Sequence, residues 1–244
     1  MNRLVQLVAD YGPGDLAYAE LIQRLALAVP SAVVHLTRVA PADTIAAGFC
    51  VAQLALTDGP PDRVVAHDVS SPGADVRLCA GRSPDGVWIV GPNSGWSWSF
   101  TIDELPSLCH VDVTIDLALA IAHITKRHPH AICDPVARAS VPAMPEQVVA
   151  YIDGLGNVKT TIAEAPAASG ATVQVGIGRV SARAVVRHGD AIRQGELALA
   201  IGSSGWTRRR GGRRSFLELI VGGGSAADLF ARPIPGTRVR LRAS

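Results

Sequence analysis

Residues 3–15, RLVQLVAD followed by YGPGD, decide how this chain is read. An apolar run interrupted only by Gln6 stops at Asp10 and enters a turn rich in glycine and proline. Such a run suits a strand buried on both faces of a parallel sheet, where no alternation with polar residues is needed. Leu16–Ala28 then carries apolar side chains at helical spacing, with Asp15 placed to cap its start and Pro30 to end it.

The same order repeats outward. SAVVHLT is a second strand and PADTIAAGFCVAQLAL a second helix, with Asp43 near its first turn. VVAHDVSS is a third strand closed by Ser71-Pro72-Gly73, and GVWIVGPNSGW a further strand ending in the GPNSG loop. Residues 115–127 form another helix leading to His128. Strand, turn and helix in this order predict an α/β N-terminal domain with a mainly parallel sheet. Ligands of such folds sit beyond the carboxyl ends of the strands. The turns YGPGD, SSPGAD and GPNSG all fall there.

Residues 139–147, ASVPAMPEQ, read as a linker, and the pattern then changes. VVAYIDGLGNVKTTI, ATVQVGIGRV, ARAVVR, ELALAIGSS, SFLELIVGG and TRVRLRAS are short runs parted by glycine and proline. They predict a small all-β, barrel-like domain. The expected division is residues 1–142, an α/β nucleoside-binding domain, and 143–244, a β domain that completes the site.

Composition excludes the extremes. Of 244 residues, 48% are hydrophobic and 18% charged, which is too apolar for a disordered chain. A net charge of +2 argues against a surface built as a trap for nucleic acid. The mean hydropathy of +0.24 comes without any run of the roughly 20 apolar residues a spanning helix needs. The early apolar run lacks the form of a signal peptide. Four isolated cysteines, Cys50, Cys79, Cys109 and Cys133, read as free thiols of a reducing cytoplasm. The seven histidines make no ligand pair, so no metal is expected.

Taken on residue chemistry alone, the candidates are few. Asp10, at a strand end, offers two acceptor oxygens to a vicinal diol such as a ribose, or caps a turn. Arg77 and His128 could bind or deprotonate a small nucleophile, or stand as surface residues. Residues 208–214, RRRGGRR, form a basic hairpin for phosphates or an acidic partner, or a solvated turn. No aromatic residue interleaves that tract, and nucleic acid is not an expected partner. The sequence holds no GxxxxGK(S/T), no GxGxxG after the first strand and no GxSxG elbow.

Several segments, in order, resemble one family. VADYGPGDLAY resembles the T-D-F-G-x-x-D-x-Y opening of the S-adenosylmethionine hydroxide adenosyltransferases, relatives of the fluorinating and chlorinating enzymes. SAVVHLTRVAPADTIAAGF resembles their next block, GPNSGW their P-(D/N)-N-G loop, and HPHAICDPVA their H-G-R-D-x-F-x-P-V-A segment. YIDGLGNVKTTI resembles Y-I-D-x-F-G-N-x-x-T-N, and LELIVGGGSAADLF the closing L-E-I-A-V-N-x-G-S-A-A-x-x-L.

The resemblance implies an enzyme that cleaves S-adenosylmethionine by displacement at ribose C5′, water giving adenosine and L-methionine. It implies no cofactor beyond that substrate. It further implies a homotrimer with sites between the N-terminal domain of one subunit and the C-terminal domain of the next. Carried over, Asp10 would hold the ribose hydroxyls, Asp153 the methionine ammonium and Asn157 the adenine edge. Asp15, Pro92, Asn93 and Ser94 would line the pocket. Ser203 and Ser204 would bind the carboxylate, for which Arg213 or Arg214 offers a guanidinium instead. Arg77 and His128 would activate water together with the residue at position 71.

That last position departs from the pattern, because Ser71 stands where the hydrolytic branch has an aspartate. Pro129, Leu155 and Thr161 replace a glycine, a phenylalanine and an asparagine, and Ala42 occupies an adenine-stacking position of the halogenating relatives. Two other readings follow. A halide or another small nucleophile needs no general base, so the missing carboxylate costs it less. A non-catalytic nucleoside-binding protein needs no nucleophile at all.

Overall fold

The computed structural model describes residues 3–71, 77–112, 114–126, 132–189, 191–208 and 211–243. His128, Pro129, Pro72, Gly73 and the Arg209–Arg210 pair of the basic tract lie outside the described residues. The chain divides into two compact units, Met1–Met144 with Thr207–Gly211, and Pro145–Trp206 with Gly212–Ser244.

The first unit opens with β1 (Arg3–Ala9), α1 (Leu16–Ala28), β2 (Ala32–Arg38), α2 (Thr44–Ala55) and β3 (Val64–Asp68). It continues with β4 (Leu78–Arg82), β5 (Trp88–Pro92), β6 (Leu108–Val111), α3 (Leu117–Thr125) and β7 (Ile132–Pro135). The sheet order is β2-β1-β3-β5-β4-β6-β7. β1 runs parallel to β2 and β3, and β3 parallel to β5. The other half is antiparallel: β4 pairs with β5 and β6, and β6 with β7.

This corrects the expected α/β domain with a mainly parallel sheet. The chain is mostly β, 37% strand against 18% helix, and both sheets are mixed, one of them a half-barrel. The physical reason lies in the connections. Only residues 83–87 separate β4 from β5, too few for the crossover that a parallel pair requires, so the two form a hairpin.

The helices form where the spacing places them. α1 ends with the Val29 amide bonded to Leu25 O, just before Pro30. It packs Leu21 and Leu25 with Ile121 and Ile124 of α3 over Val5, Leu7, Val64 and Val90. α2 is buried almost all round, and the Asp43 carboxylate caps it by accepting from Ala46 N at 2.9 Å. The start of α1 differs from expectation. Asp15 occupies the cap position but its side chain makes no cap bond; Oδ2 accepts from Gly12 N at 2.7 Å instead.

The second unit holds β8 (Val149–Ile152), β9 (Val158–Thr160), β10 (Thr172–Ile177), β11 (Val180–Arg187), β12 (Leu197–Thr207), β13 (Arg213–Val221), α4 (Ala226–Leu229) and β14 (Val239–Ala243). The sheet order is β14-β10-β11-β12-β13-β9-β8, with β11 and β12 parallel. Val149, Val158, Val175, Leu199, Leu217 and Phe230 are among its core residues. No described helix is long and apolar enough to cross a membrane.

Candidate functional site

In the first unit the site grows from adjacent strand ends. The register of β1 with β3 sets Ala9 opposite Asp68, so Asp10 and Tyr11 leave the sheet beside the last residue of β3. The Tyr11 hydroxyl donates to Asp68 Oδ2. Burial pushes the Asp68 carboxyl above the usual carboxylate range; the Tyr11 bond opposes this and the charge of Asp10 adds to it. Burial and then the Asp68 charge likewise push the Tyr11 phenol up.

Asp10 Oδ2 accepts from Ala42 N at 2.8 Å. Ala42 has a φ of 58°, a left-handed conformation costly for alanine, and the Asp10 bond helps hold it. The turn-capping role weighed for Asp10 is therefore present through one oxygen, while Oδ1 has no hydrogen bond among the described residues. Asp15 also lies 3.9 Å from the Arg38 guanidinium, an exposed pair of little energetic weight.

The turn of residues 92–95 leaves β5 and is tied inward. Pro92 O accepts from Ser97 Oγ and Trp98 Nε1, both at 3.1 Å. Ser94 is 1% exposed, and its Oγ accepts from Ser71 N at 2.7 Å, bridging the chain after β3 to the turn after β5. Asn93 N donates to Arg77 O at 3.1 Å, and its Nδ2 to Ser140 Oγ at 3.4 Å. Gly95 has a φ of +50°, and a Cβ there would stand 2.4 Å from Thr44 Oγ1. Only glycine meets both demands.

The first unit thus brings together Asp10, Ser71, Arg77, Pro92, Asn93 and Ser94 around the ends of β1, β3 and β5. His128 is outside the described residues. A cavity of about 330 Å³ lies beside this cluster, lined by Tyr11 and Asp68 and by residues of α1 and α3. Asp10, Ser71 and the 92–95 turn do not line it. Arg24 lines it too, bonded to Asp116 at 3.1 Å and Glu20 at 3.4 Å.

The second unit holds its own polar chain. Asp153 closes the β8–β9 turn: Oδ1 accepts from Leu155 N and Asn157 N, and Oδ2 from Asn157 Nδ2, each at 3.0 Å. Burial pushes its carboxyl up, but the Asn157 and Leu155 bonds and the Lys159 charge outweigh that and leave it below the usual range. Lys159 Nζ lies 3.6 Å from Asp153 Oδ2 and 2.9 Å from Glu218 Oε1. Glu218 Oε1 in turn accepts from the amide of Ser204 at 2.9 Å and from its hydroxyl. Ser203 is exposed, and its carbonyl accepts from the Arg213 guanidinium at 3.4 Å. Arg214 is half-buried on β13.

Sequence reasoning missed Tyr11–Asp68 and Lys159–Glu218. A charged residue inside an apolar strand, as in VVAHD, NVKT and FLELIV, was the available signal. Among the described residues, no His, Cys, Asp or Glu cluster could hold a metal ion. Arg208 of the basic tract lies 3.7 Å from buried Glu104.

No family model and no curated protein matches the chain. Among solved structures it is similar to an uncharacterized conserved protein from Thermotoga maritima, at 19% identity and a TM-score of 0.76, covering 98% of this chain and all of that one. It is similar also to a conserved hypothetical protein from Thermus thermophilus, at 25% identity and a TM-score of 0.72, with coverage of 98% and 100%. The fold is shared. These likenesses span nearly the whole chain and concern architecture alone.

Proposed function

We propose that this chain cleaves S-adenosylmethionine at ribose C5′ with water, giving adenosine and L-methionine. The observation that supports it most is the convergence of Asp10, Tyr11, Asp68, Ser71 and the 92–95 turn at the carboxyl ends of β1, β3 and β5. The ordered sequence blocks add to it.

In this reading Asp10 keeps Ala42 on Oδ2 and offers Oδ1 to a ribose hydroxyl. Water attacks C5′ in line with the C–S bond. The C–O bond forms as the C–S bond breaks, and sulfur takes the bonding pair and leaves as a neutral thioether. The proton of the attacking water passes to the Asp68 carboxylate, which takes over from the carboxylate absent at Ser71. A carboxyl raised toward neutrality is a better base than an ordinary one, provided it is ionised. Tyr11 holds Asp68 by Oδ2 and leaves Oδ1 for the water. Arg77 and His128 orient that water. Asp153 and Asn157 serve the methionine ammonium and the adenine edge. The proposal includes a homotrimer, which native mass spectrometry would register.

A second reading, displacement by halide, is favoured by the hydroxyl at Ser71. Incubation with S-adenosylmethionine, with and without chloride, bromide and fluoride, distinguishes the two by mass spectrometry. Adenosine with methionine supports hydrolysis, and a 5′-halo nucleoside supports the second reading. Neither binding nor turnover sinks both.

A further inference from the structure

The outer face of the second sheet carries a concentration of cations that the proposed chemistry does not use. β10 pairs antiparallel with β14 and with β11, and residues directly paired share a face. Two cross-strand rows result: Arg242–Gln174–Arg183, and Arg240–Gly176–Ser181. Their neighbours Val173, Val175, Ile177 and Val239 point the other way, into the core. Arg179 adds a third cation to the hollow from the two-residue loop between β10 and β11.

These rows border a hollow of about 280 Å³, lined by Arg179, Arg240 and Arg242 with Gln174 and Ser181. Gly176 keeps its floor open, since even an added Cβ would come no nearer than 3.9 Å to Arg240 Cβ or Ser181 Oγ. No carboxylate lines it. Arg179, Arg183, Arg240 and Arg242 make no ion pair among the described residues. Elsewhere in the same unit, Arg187 pairs with Glu196 at 2.6 Å and Arg232 with Asp228 at 2.7 Å. Like charges on neighbouring strands repel one another, and a multivalent anion removes that cost while filling the guanidinium forks.

We propose that this hollow is a binding site for a small phosphate-bearing ligand, a phosphomonoester or a diphosphate. Three guanidiniums exceed what one carboxylate can neutralise and match an anion carrying two or more charges. The absence of any aromatic lining residue argues for recognition of the phosphate rather than of a stacked base. S-adenosylmethionine, with its cationic sulfonium, is not the ligand of this site, so the inference stands apart from the proposed reaction.

Isothermal titration of the full chain with inorganic pyrophosphate, against sodium chloride of matched ionic strength, tests it. The double variant Arg240→Gln/Arg242→Gln alters only exposed side chains, and Arg232→Gln removes one exposed cation elsewhere. The expected result is saturable binding at one site per chain, weakened at least tenfold by the double variant and unchanged by Arg232→Gln. Absence of saturable binding overturns the proposal. So does equal weakening by Arg232→Gln, which would mean attraction to diffuse charge. Binding of a single-stranded oligonucleotide without binding of pyrophosphate also overturns it, in favour of a polyanion surface.

Discussion

The Tyr11 hydroxyl donates a hydrogen bond to the Asp68 carboxylate, joining the first turn of the chain to the last residue of β3. Burial raises the Asp68 carboxyl and Tyr11 restrains that rise. Under the proposed reaction Asp68 acts as a base and must be ionised, so kcat/KM is expected to fall as pH drops through a folded-state pKa above the ordinary carboxylate value. Tyr11→Phe removes the restraint and moves this acid limb to higher pH, which a pH–rate profile would register. The same proposal expects Asp68→Asn to lower turnover by about a hundredfold or more.

The same carboxyl makes a stability prediction of opposite sign. A raised folded-state pKa means the protonated form suits the fold, so its contribution is full below the unfolded pKa and lost as pH rises through the folded one. Asp68→Asn therefore raises Tm at neutral pH, and the gain disappears under acid conditions where wild-type Asp68 is protonated. Paired melts at the two pH values check it.

The helices of the first unit were legible, but the make-up of its sheet was not. Leu16–Ala28 emerged as a helix because its apolar spacing, the preceding turn and Pro30 agreed. β4 did not, since LCAGR is short, contains glycine and shows no alternation; missing it turned a mixed sheet into a parallel one. Asp10 and the 92–95 turn were legible as strand-end residues. The Asp68 pairing was not, because it depends on β1 lying beside β3, a neighbour relation no local pattern encodes. Asp15 looked like a cap, but its carboxylate serves the Gly12 amide instead.

His67 is fully buried against Trp98, ring centroids 5.3 Å apart, and neither ring nitrogen has a hydrogen-bond partner among the described residues. Burial lowers its pKa from 6.5 to about 3. The unfolded chain takes up a proton that the fold refuses, so stability falls as pH drops below 6.5, with a slope from this group of about 1.4 kcal/mol per pH unit. His67→Leu flattens that slope in urea titrations across the acid range. Gly91 permits the close approach, since a Cβ there would lie 2.4 Å from the ring; Gly91→Ala costs about 1–3 kcal/mol by overpacking.

Glu218 and Lys159 are both buried, and Glu218 also binds Ser204. Glu218→Leu strips Lys159 of its nearer carboxylate and costs about 3–5 kcal/mol. Replacing both, as Lys159→Met/Glu218→Leu, costs less than the sum of the single changes, because no charge is left stranded. Chemical denaturation of the cycle measures it.

Asp153 offers a test that separates turn from ligand. Asp153→Asn retains an acceptor for the Leu155 and Asn157 amides but removes the negative charge. Under the proposed role KM for S-adenosylmethionine rises at least tenfold while Tm changes little. A large loss of Tm with unchanged KM assigns Asp153 to the turn alone.

Reaction of the purified protein with S-adenosylmethionine in heavy-oxygen water is the most direct test of the central claim. Displacement by water at C5′ predicts adenosine carrying the label in its 5′-hydroxyl, with unlabelled methionine released in equal amount. Unlabelled adenosine, a 5′-halo nucleoside as the sole product, or unchanged S-adenosylmethionine would contradict it.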